Sequence, residues 1–142
     1  MYRRKIMGKF RVSDIEGIGP FYEEKLRAIK IRSVKSLRER GATRRGRKEI
    51  AESAGIDGKL ILKWVNAADL YRVKGVGSEY SELLEKAGVD TVKELRNRRP
   101  DNLHEKMIEV NNARKLVRKV PSLSMVKSWV EFAKTLDPLI TY

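Results

Sequence analysis

Three absences limit the chemistry of this chain before any motif is considered. Its 142 residues contain no cysteine, which excludes disulfide bonds and cysteine-based zinc sites and fits a reducing cytosol. The single histidine, His104, has no catalytic partner that the sequence identifies. No run approaches the ~18 apolar residues of a membrane span, and the basic N-terminus lacks the apolar stretch of a signal peptide. We therefore expect a cytoplasmic protein with no membrane association and no cofactor.

Positive charge is what the chain has in excess. Its 32 Lys and Arg residues outnumber 19 Asp and Glu residues, so the formal net charge is +13. A field of this sign attracts polyanions such as nucleic acid. Residues 1–72 carry 19 basic and 9 acidic side chains, whereas residues 73–142 carry 13 and 10. A polyanion-binding surface is therefore expected in the N-terminal half.

An internal repeat organises the sequence. The segment IEGIGPFYEEKLRAIKIRSVKSLRER (15–40) aligns without gaps with VKGVGSEYSELLEKAGVDTVKELRNR (73–98), and eleven positions match in residue type. So many matches in one register indicate two copies of one helical unit. The repeat predicts two domains: 1–72, which includes a basic N-terminal arm, and 73–142.

Capping signals mark where the helices begin and end. Ser13-x-x-Glu16 and Thr91-x-x-Glu94 have the pattern of a capping box, and Gly55 is a typical helix terminator. Further helix starts are predicted at Pro20, Thr43, Asp57, Pro100 and either Ser122 or Ser124, with the helix from Pro100 ending near Val110.

Apolar residues recur at helical spacing, and no segment alternates convincingly enough to indicate a strand. The predicted fold class is therefore all-α, with two tandem helical repeats packed into one compact unit. The residues expected in its core are Tyr22, Leu26, Leu37, Trp64, Tyr80, Leu84, Leu95 and Trp129.

Two Gly-x-Gly sequences, Gly17-Ile18-Gly19 and Gly75-Val76-Gly77, each join a short helix to a longer one. Glycine reaches positive φ at little cost, so each pair allows a tight turn whose central apolar residue enters the core. Such a turn leaves backbone N–H groups unpaired at the start of the next helix, where a phosphate can bind without regard to sequence. The alternative is a turn that only packs two helices together.

The segments DIEGIGPFYEEKLRAIKI and RVKGVGSEYSELLEKAGV resemble helix-hairpin-helix motifs of DNA-repair and recombination proteins. With GATRRGRKEIAE, LILKWVNAADL and PSLSMVKSWV included, nearly the whole chain resembles an uncharacterised prokaryotic family of tandem helix-hairpin-helix proteins. The resemblance implies the fold but no established activity. DNA-binding hairpins often carry Lys or Arg just after the second glycine, where this chain has Pro20-Phe21 and Ser78-Glu79. The second hairpin especially therefore has a purely structural alternative.

A cluster of basic residues follows the first hairpin. Cations in the first turn of a helix oppose its dipole, so their presence there favours a functional use, although a solvated face is the alternative. The candidate phosphate-binding residues are Arg38, Arg40, Arg44, Arg45, Arg47 and Lys48. The spacing of Ala51, Gly55 and Ile61 in KEIAESAGIDGKLILKWV also fits a helix-turn-helix, which would imply sequence-specific reading of DNA.

No pattern in the sequence indicates catalysis. The carboxylates of Asp14, Glu16, Asp57 and Asp69 have no spacing that marks a metal or catalytic site. We expect a non-enzymatic protein that binds double-stranded DNA, independently of its sequence, through the Gly-x-Gly hairpins and the basic cluster. The alternatives are a protein that binds structured RNA and a helical interaction or scaffold module that binds no nucleic acid.

Overall fold

A computed structural model describes residues 10–142 of the protein, so most of the predicted basic N-terminal arm lies outside the described residues. The described chain is all-α, as predicted, and its only extended pairing is an isolated bridge between Arg11 and Ser33. A 3-10 turn, Val12–Asp14, precedes the α-helices. The helices are α1 (Pro20–Ala28), α2 (Val34–Arg40), α3 (Arg44–Ala54), α4 (Gly58–Leu70), α5 (Ser78–Lys86), α6 (Val92–Arg96), α7 (Pro100–Arg114) and α8 (Leu123–Ala133).

The chain divides into two compact units. The first contains Met1–Asp69 together with Leu139–Tyr142, and the second contains Leu70–Pro138. The last residues of the chain join the first unit through specific hydrogen bonds. The backbone N–H of Thr141 donates to the Ala42 carbonyl at 2.8 Å, and the Tyr142 hydroxyl donates to Oδ1 of Asn66 at 2.8 Å.

In the first unit, α1 packs against the 3-10 turn and α3, and α2 packs against α3. Gly46 lies in the first turn of α3, where a Cβ would overlap the carbonyl oxygen of Arg40 at the end of α2. Only glycine therefore allows α3 to start so close to α2. The buried apolar residues include Val12, Ile15, Ile18, Leu26, Ile31, Val34, Leu37, Ile50, Ile56, Ile61, Trp64 and Val65.

In the second unit, α8 packs against α6 and α7, and α5 packs against α7. The predicted core residues Leu84, Leu95 and Trp129 are all buried here. They belong to one apolar cluster, which also contains Val73, Val76, Leu83, Val89, Val92, Leu103, Met107, Val126 and Val130.

Most predicted helix boundaries are confirmed. Thr43 caps α3 by accepting the Gly46 N–H at 3.0 Å, and Gly55 ends that helix at a φ of 67°. Asp57 accepts the Lys59 N–H at 2.8 Å at the start of α4. Of the two serines proposed to cap the last helix, it is Ser122 that accepts the N–H of Met125, at 3.1 Å. Pro100 begins α7, which continues four residues beyond the predicted end to Arg114.

The capping box predicted at Ser13 and Glu16 is wrong. The chain forms only a 3-10 turn there, and the backbone N–H of Arg11 donates to Oδ2 of Asp14 at 2.9 Å. The box predicted at Thr91 forms in part, because Thr91 accepts the Glu94 N–H at 3.3 Å. The Glu94 carboxylate instead accepts the N–H of Asp90.

The burial predicted for Tyr22 and Tyr80 is also wrong, since both side chains are only half-buried. Each ring packs on a buried tryptophan, with ring centroids 5.0 Å apart for Tyr22 and Trp64 and 5.3 Å apart for Tyr80 and Trp129. The Tyr80 hydroxyl reaches the carbonyl of Lys119 at 3.3 Å. Burying one edge of the ring while the polar end stays near solvent is common for tyrosine.

Candidate nucleic-acid interface

The first Gly-x-Gly sequence forms a tight turn that leads into α1. Gly17 has a φ of 96°, Ile18 is buried with 3% of its surface exposed, and the Ile18 N–H donates to the Ile15 carbonyl at 3.1 Å. Gly19 is the N-cap residue of α1, and its carbonyl accepts the N–H of Glu23 at 2.9 Å. No side chain caps α1, so its first-turn N–H groups have no intrahelical acceptor, although Pro20 at the first position has no N–H. A Cβ on Gly19 would meet no atom within 4 Å, so this end of the turn is open.

Each turn lies against a buried tryptophan. A Cβ on Gly17 would lie 3.4 Å from Nε1 of Trp64, and a Cβ on Gly75 would lie 3.1 Å from Nε1 of Trp129. Gly75 also has a positive φ, 93°. Both glycines are therefore required by backbone conformation, and a side chain there would also press on the indole. Sequence reasoning placed both tryptophans in the core, but it missed this supporting role, which their matching repeat positions could have suggested.

The two turns differ in the residues that follow them. The second turn buries Val76 and leaves space at Gly77, but an exposed carboxylate, Glu79, lies two residues later. At the corresponding place in the first turn is Phe21, whose side chain is 67% exposed. A carboxylate beside a phosphate opposes binding, so Glu79 disfavours an anion at the second turn, as exposed Glu16, directly before Gly17, does at the first.

Three of the four cations predicted at the start of α3 are exposed: Arg44, Arg45 and Lys48. Arg45 forms an exposed ion pair with Glu49, with Nε and Oε2 3.5 Å apart. Arg44 and Lys48 are one helical turn apart and lie at the edge of a shallow cleft of about 490 Å³. The cleft is lined by Arg44, Arg47, Lys48, Ala51, Gly58, Leu62 and Tyr142, and thus by no carboxylate side chain.

The fourth cation, Arg47, does not belong to this exposed surface, which corrects its assignment as a phosphate-binding residue. It is buried, with 8% of its surface exposed. Its guanidinium donates to the carbonyls of Gly41 at 2.9 Å, Ala42 at 3.3 Å and Thr141 at 2.7 Å, and lies 5.4 Å from the ring centroid of Tyr142. Burial lowers the pKa of this group, an effect that Tyr142 opposes. Arg47 therefore holds the C-terminal segment against the start of α3.

Arg38 and Arg40, the other two predicted members of the basic cluster, bind backbone carbonyls. The half-buried guanidinium of Arg38 donates to the Ala68 carbonyl at 2.7 Å. The guanidinium of Arg40 donates to the carbonyl of Ile29, just after α1, and the residue as a whole is exposed. Arg38 is thus mainly structural, whereas Arg40 is exposed to solvent near the start of α3.

Gly55 ends α3 and lies in the short connection to α4, at the place that the helix-turn-helix spacing predicted for the turn. Lys59 and Lys63 are exposed on α4, while Leu62 is half-buried and lines the cleft described above. The apolar residues Ile50, Ile56 and Trp64 are buried, as that pattern predicted. These two lysines extend the exposed positive charge from α3 onto α4.

The acidic residues considered as metal ligands are not assembled into a site. Asp14 and Asp57 accept backbone N–H groups, and Asp69 is buried with 2% of its surface exposed. His104 lies in α7, with Nε2 2.9 Å from the carbonyl oxygen of Pro121. Between residues 10 and 142, no group of three His, Asp or Glu side chains is arranged to hold a metal ion.

Fold and site together define an all-α protein with a basic surface on its first unit. The chain belongs to a family described as a domain of unknown function (DUF4332), whose sequence model matches residues 16–136. No curated protein and no solved structure gives a significant match. Within the described part of the chain, no helix is both long and apolar enough to span a membrane.

Proposed function

We propose that this protein binds nucleic acid without catalysing a reaction, and that its preferred ligand is double-stranded DNA bound independently of sequence. Contacts to phosphates would come from the first Gly-x-Gly turn and from the exposed cations at the start of α3. Both elements belong to the first unit, whose sequence carries 18 basic and 9 acidic residues, against 14 and 10 in the second.

The observation that carries the proposal is the exposure of Arg44, Arg45 and Lys48 at the N-terminus of α3. Arg44 and Arg45, in the first turn, oppose the helix dipole, at a cost of up to about 1 kcal/mol each. Arg47, on the same helix, is used for structure, whereas Arg44 and Lys48 line a cleft that contains no Asp or Glu side chain. The unfavourable placement of Arg44 and Arg45 is offset when a phosphate supplies the negative charge.

The first turn supports the same ligand. Its resemblance to helix-hairpin-helix motifs, its positive-φ glycine and its open N-cap at Gly19 suit a backbone phosphate. The second turn has the same backbone form but belongs to the less basic unit, so we propose for it a structural role with little or no share in binding.

The proposal can be tested by fluorescence anisotropy with duplex DNA, single-stranded DNA and structured RNA at low salt. A matched pair of variants separates the two turns: Gly19→Ala and Gly77→Ala each add a methyl group in open space at an N-cap. We expect Gly19→Ala to weaken binding more than Gly77→Ala, while both cost similar stability, at most about 1 kcal/mol. Circular dichroism checks that both variants remain folded.

Other outcomes favour other functions. Strong discrimination between unrelated duplexes would favour the helix-turn-helix reading of α3 and α4, in which Lys59 and Lys63 contact bases. Tighter binding of structured RNA than of duplex DNA would indicate RNA as the ligand, and the proposed binding surface would stay the same. No binding at low salt would contradict the proposal and favour a helical interaction module.

A further inference from the structure

The phenylalanine that follows the first Gly-x-Gly turn lies largely on the surface of the first unit. Phe21 follows Gly19 by two residues, and its side chain is 67% exposed, the largest value among the large apolar residues between positions 10 and 142. Exposing a phenylalanine ring forgoes the stabilisation that burial of its apolar surface gives. The ring is therefore available for contact with a ligand.

Neighbouring residues hold the Phe21 ring in place. Its centroid is 5.2 Å from that of Tyr22 in an edge-on arrangement, and Tyr22 packs in the same manner on buried Trp64 at 5.0 Å. The three rings lead from the core to the surface. Tyr22 is half-buried and Trp64 is buried in the core, so the Phe21 ring contacts a supported neighbour while most of its surface stays exposed.

The surroundings of this ring are suited to an anion. Nζ of Lys25 lies 5.0 Å from the Phe21 centroid, and a Cβ on Gly55 would lie 4.0 Å from the same nitrogen. The ammonium group is thus between the ring and the turn that ends α3. Of the two carboxylates on this helix, Glu23 is paired with Arg27 at 3.7 Å, while Glu24 is exposed.

We propose that Phe21 is a base-stacking residue, which binds an unpaired base of a nucleic acid whose adjoining phosphate lies at the first Gly-x-Gly turn. This inference rests on the proposed function and names the form of its ligand: DNA with unpaired bases, such as a gap or a flap. Every base has an aromatic face, so stacking needs no particular sequence. Bases inside an intact duplex already stack on each other, so the ring gives no advantage there. The second repeat has Glu79 at this position and lacks the ring.

The test compares three ligands of equal length: an intact duplex, a duplex with a three-nucleotide single-stranded gap, and the same gap built from abasic nucleotides. The abasic gap keeps the phosphates and the flexibility but removes the bases. The native protein should prefer the gap with bases over the abasic gap by roughly 5- to 100-fold, the range typical of base–aromatic stacking. Phe21→Ala should remove this preference, and Phe21→Trp should keep it.

A matched control is Phe132→Ala in α8, which removes a second exposed phenylalanine, 37% exposed, from the second unit. This variant should bind all three ligands as the native protein does. A 2-aminopurine base placed in the gap gives a direct readout, since its fluorescence is quenched when it stacks. The native protein should quench it, and Phe21→Ala should not.

If the native protein bound the two gapped duplexes with equal affinity, the inference would be overturned. Binding to the intact duplex, and with it the proposed function, would not be affected by that result. The inference would also fail if Phe21→Ala kept the preference, or if its main effect were to change the oligomeric state seen by sedimentation. In that last case the ring would be a contact between protein molecules. No binding of any ligand at low salt would reject both proposals together.

Discussion

Mutation of the basic residues near the start of α3 should affect either stability or nucleic-acid binding, depending on which residue is changed. We expect Arg47→Ala to lower the free energy of unfolding, with little direct effect on phosphate contacts. The double variant Arg44→Ala with Lys48→Ala should weaken nucleic-acid binding and leave stability almost unchanged. The reason is that Arg47 is buried on three carbonyls, whereas Arg44 and Lys48 are exposed.

The size of each effect follows from these contacts. A hydrogen bond from a charged group contributes about 1.5–3 kcal/mol, and the two shortest bonds of Arg47 are 2.7 and 2.9 Å long. Because the carbonyls of Gly41 and Thr141 can regain water in the variant, we expect a net loss of about 3 kcal/mol rather than the full sum. In the double variant, stability should change by at most about 0.5 kcal/mol or rise slightly, since removing cations from the first turn favours the helix dipole.

Urea unfolding followed by circular dichroism measures stability, and anisotropy on duplex DNA measures binding. The double variant should flatten the slope of log K against log salt by about two units, roughly one for each lost contact. Arg47→Lys is the control that keeps the charge but cannot reach all three carbonyls, so it should also be destabilised. If Arg47→Ala were as stable as the native protein and bound DNA more weakly, the structural role assigned to Arg47 would be wrong.

Three further predictions concern stability. Gly46→Ala should lower the free energy of unfolding by about 2 kcal/mol, because its Cβ would overlap a backbone carbonyl. Gly58→Ala, at an open site in the first turn of α4, should instead raise it by up to about 1 kcal/mol. Urea unfolding measures both changes. Lys30 and Gly88 have matching left-handed conformations, at φ values of 66° and 97°, so Lys30→Gly should stabilise by about 1 kcal/mol and Gly88→Lys should destabilise, as thermal unfolding can show. Burial and two neighbouring carboxylates raise the pKa of Asp90, so its ionised form opposes folding above that pKa. Asp90→Asn should therefore raise the free energy of unfolding at neutral pH. This gain should disappear as the pH falls below the ordinary pKa range of aspartate.

Local sequence signals predicted the helices well because they depend on residues close together in the chain. Thr43, Gly55 and Asp57 each act on backbone groups within a few positions, and each was found in the expected role. The same kind of pattern failed at Ser13 and Glu16, because the chain there forms a single 3-10 turn instead of a helix. A capping pattern therefore does not by itself predict a helix start, because the residues after it must also form a helix.

The candidate site was harder to predict because exposure depends on distant partners. The Thr141 carbonyl that binds Arg47 is 94 residues away in the chain, so no local pattern separates Arg47 from Arg44 or Arg45. Phe21 was noted only as a departure from the usual basic residue after the second glycine. Its position at the outer end of the ring contacts that run from Trp64 through Tyr22 depends on a tertiary contact.

The central claim is that exposed cations and the first Gly-x-Gly turn bind the phosphates of duplex DNA. The most direct test is the affinity of the native protein for two duplexes of unrelated sequence, measured by anisotropy across a salt series. Four to six phosphate contacts predict a slope of about −4 to −5 in log K against log salt, and the slope and affinity should be the same for both duplexes. A slope near zero, or no binding at the lowest salt concentration, would contradict the claim.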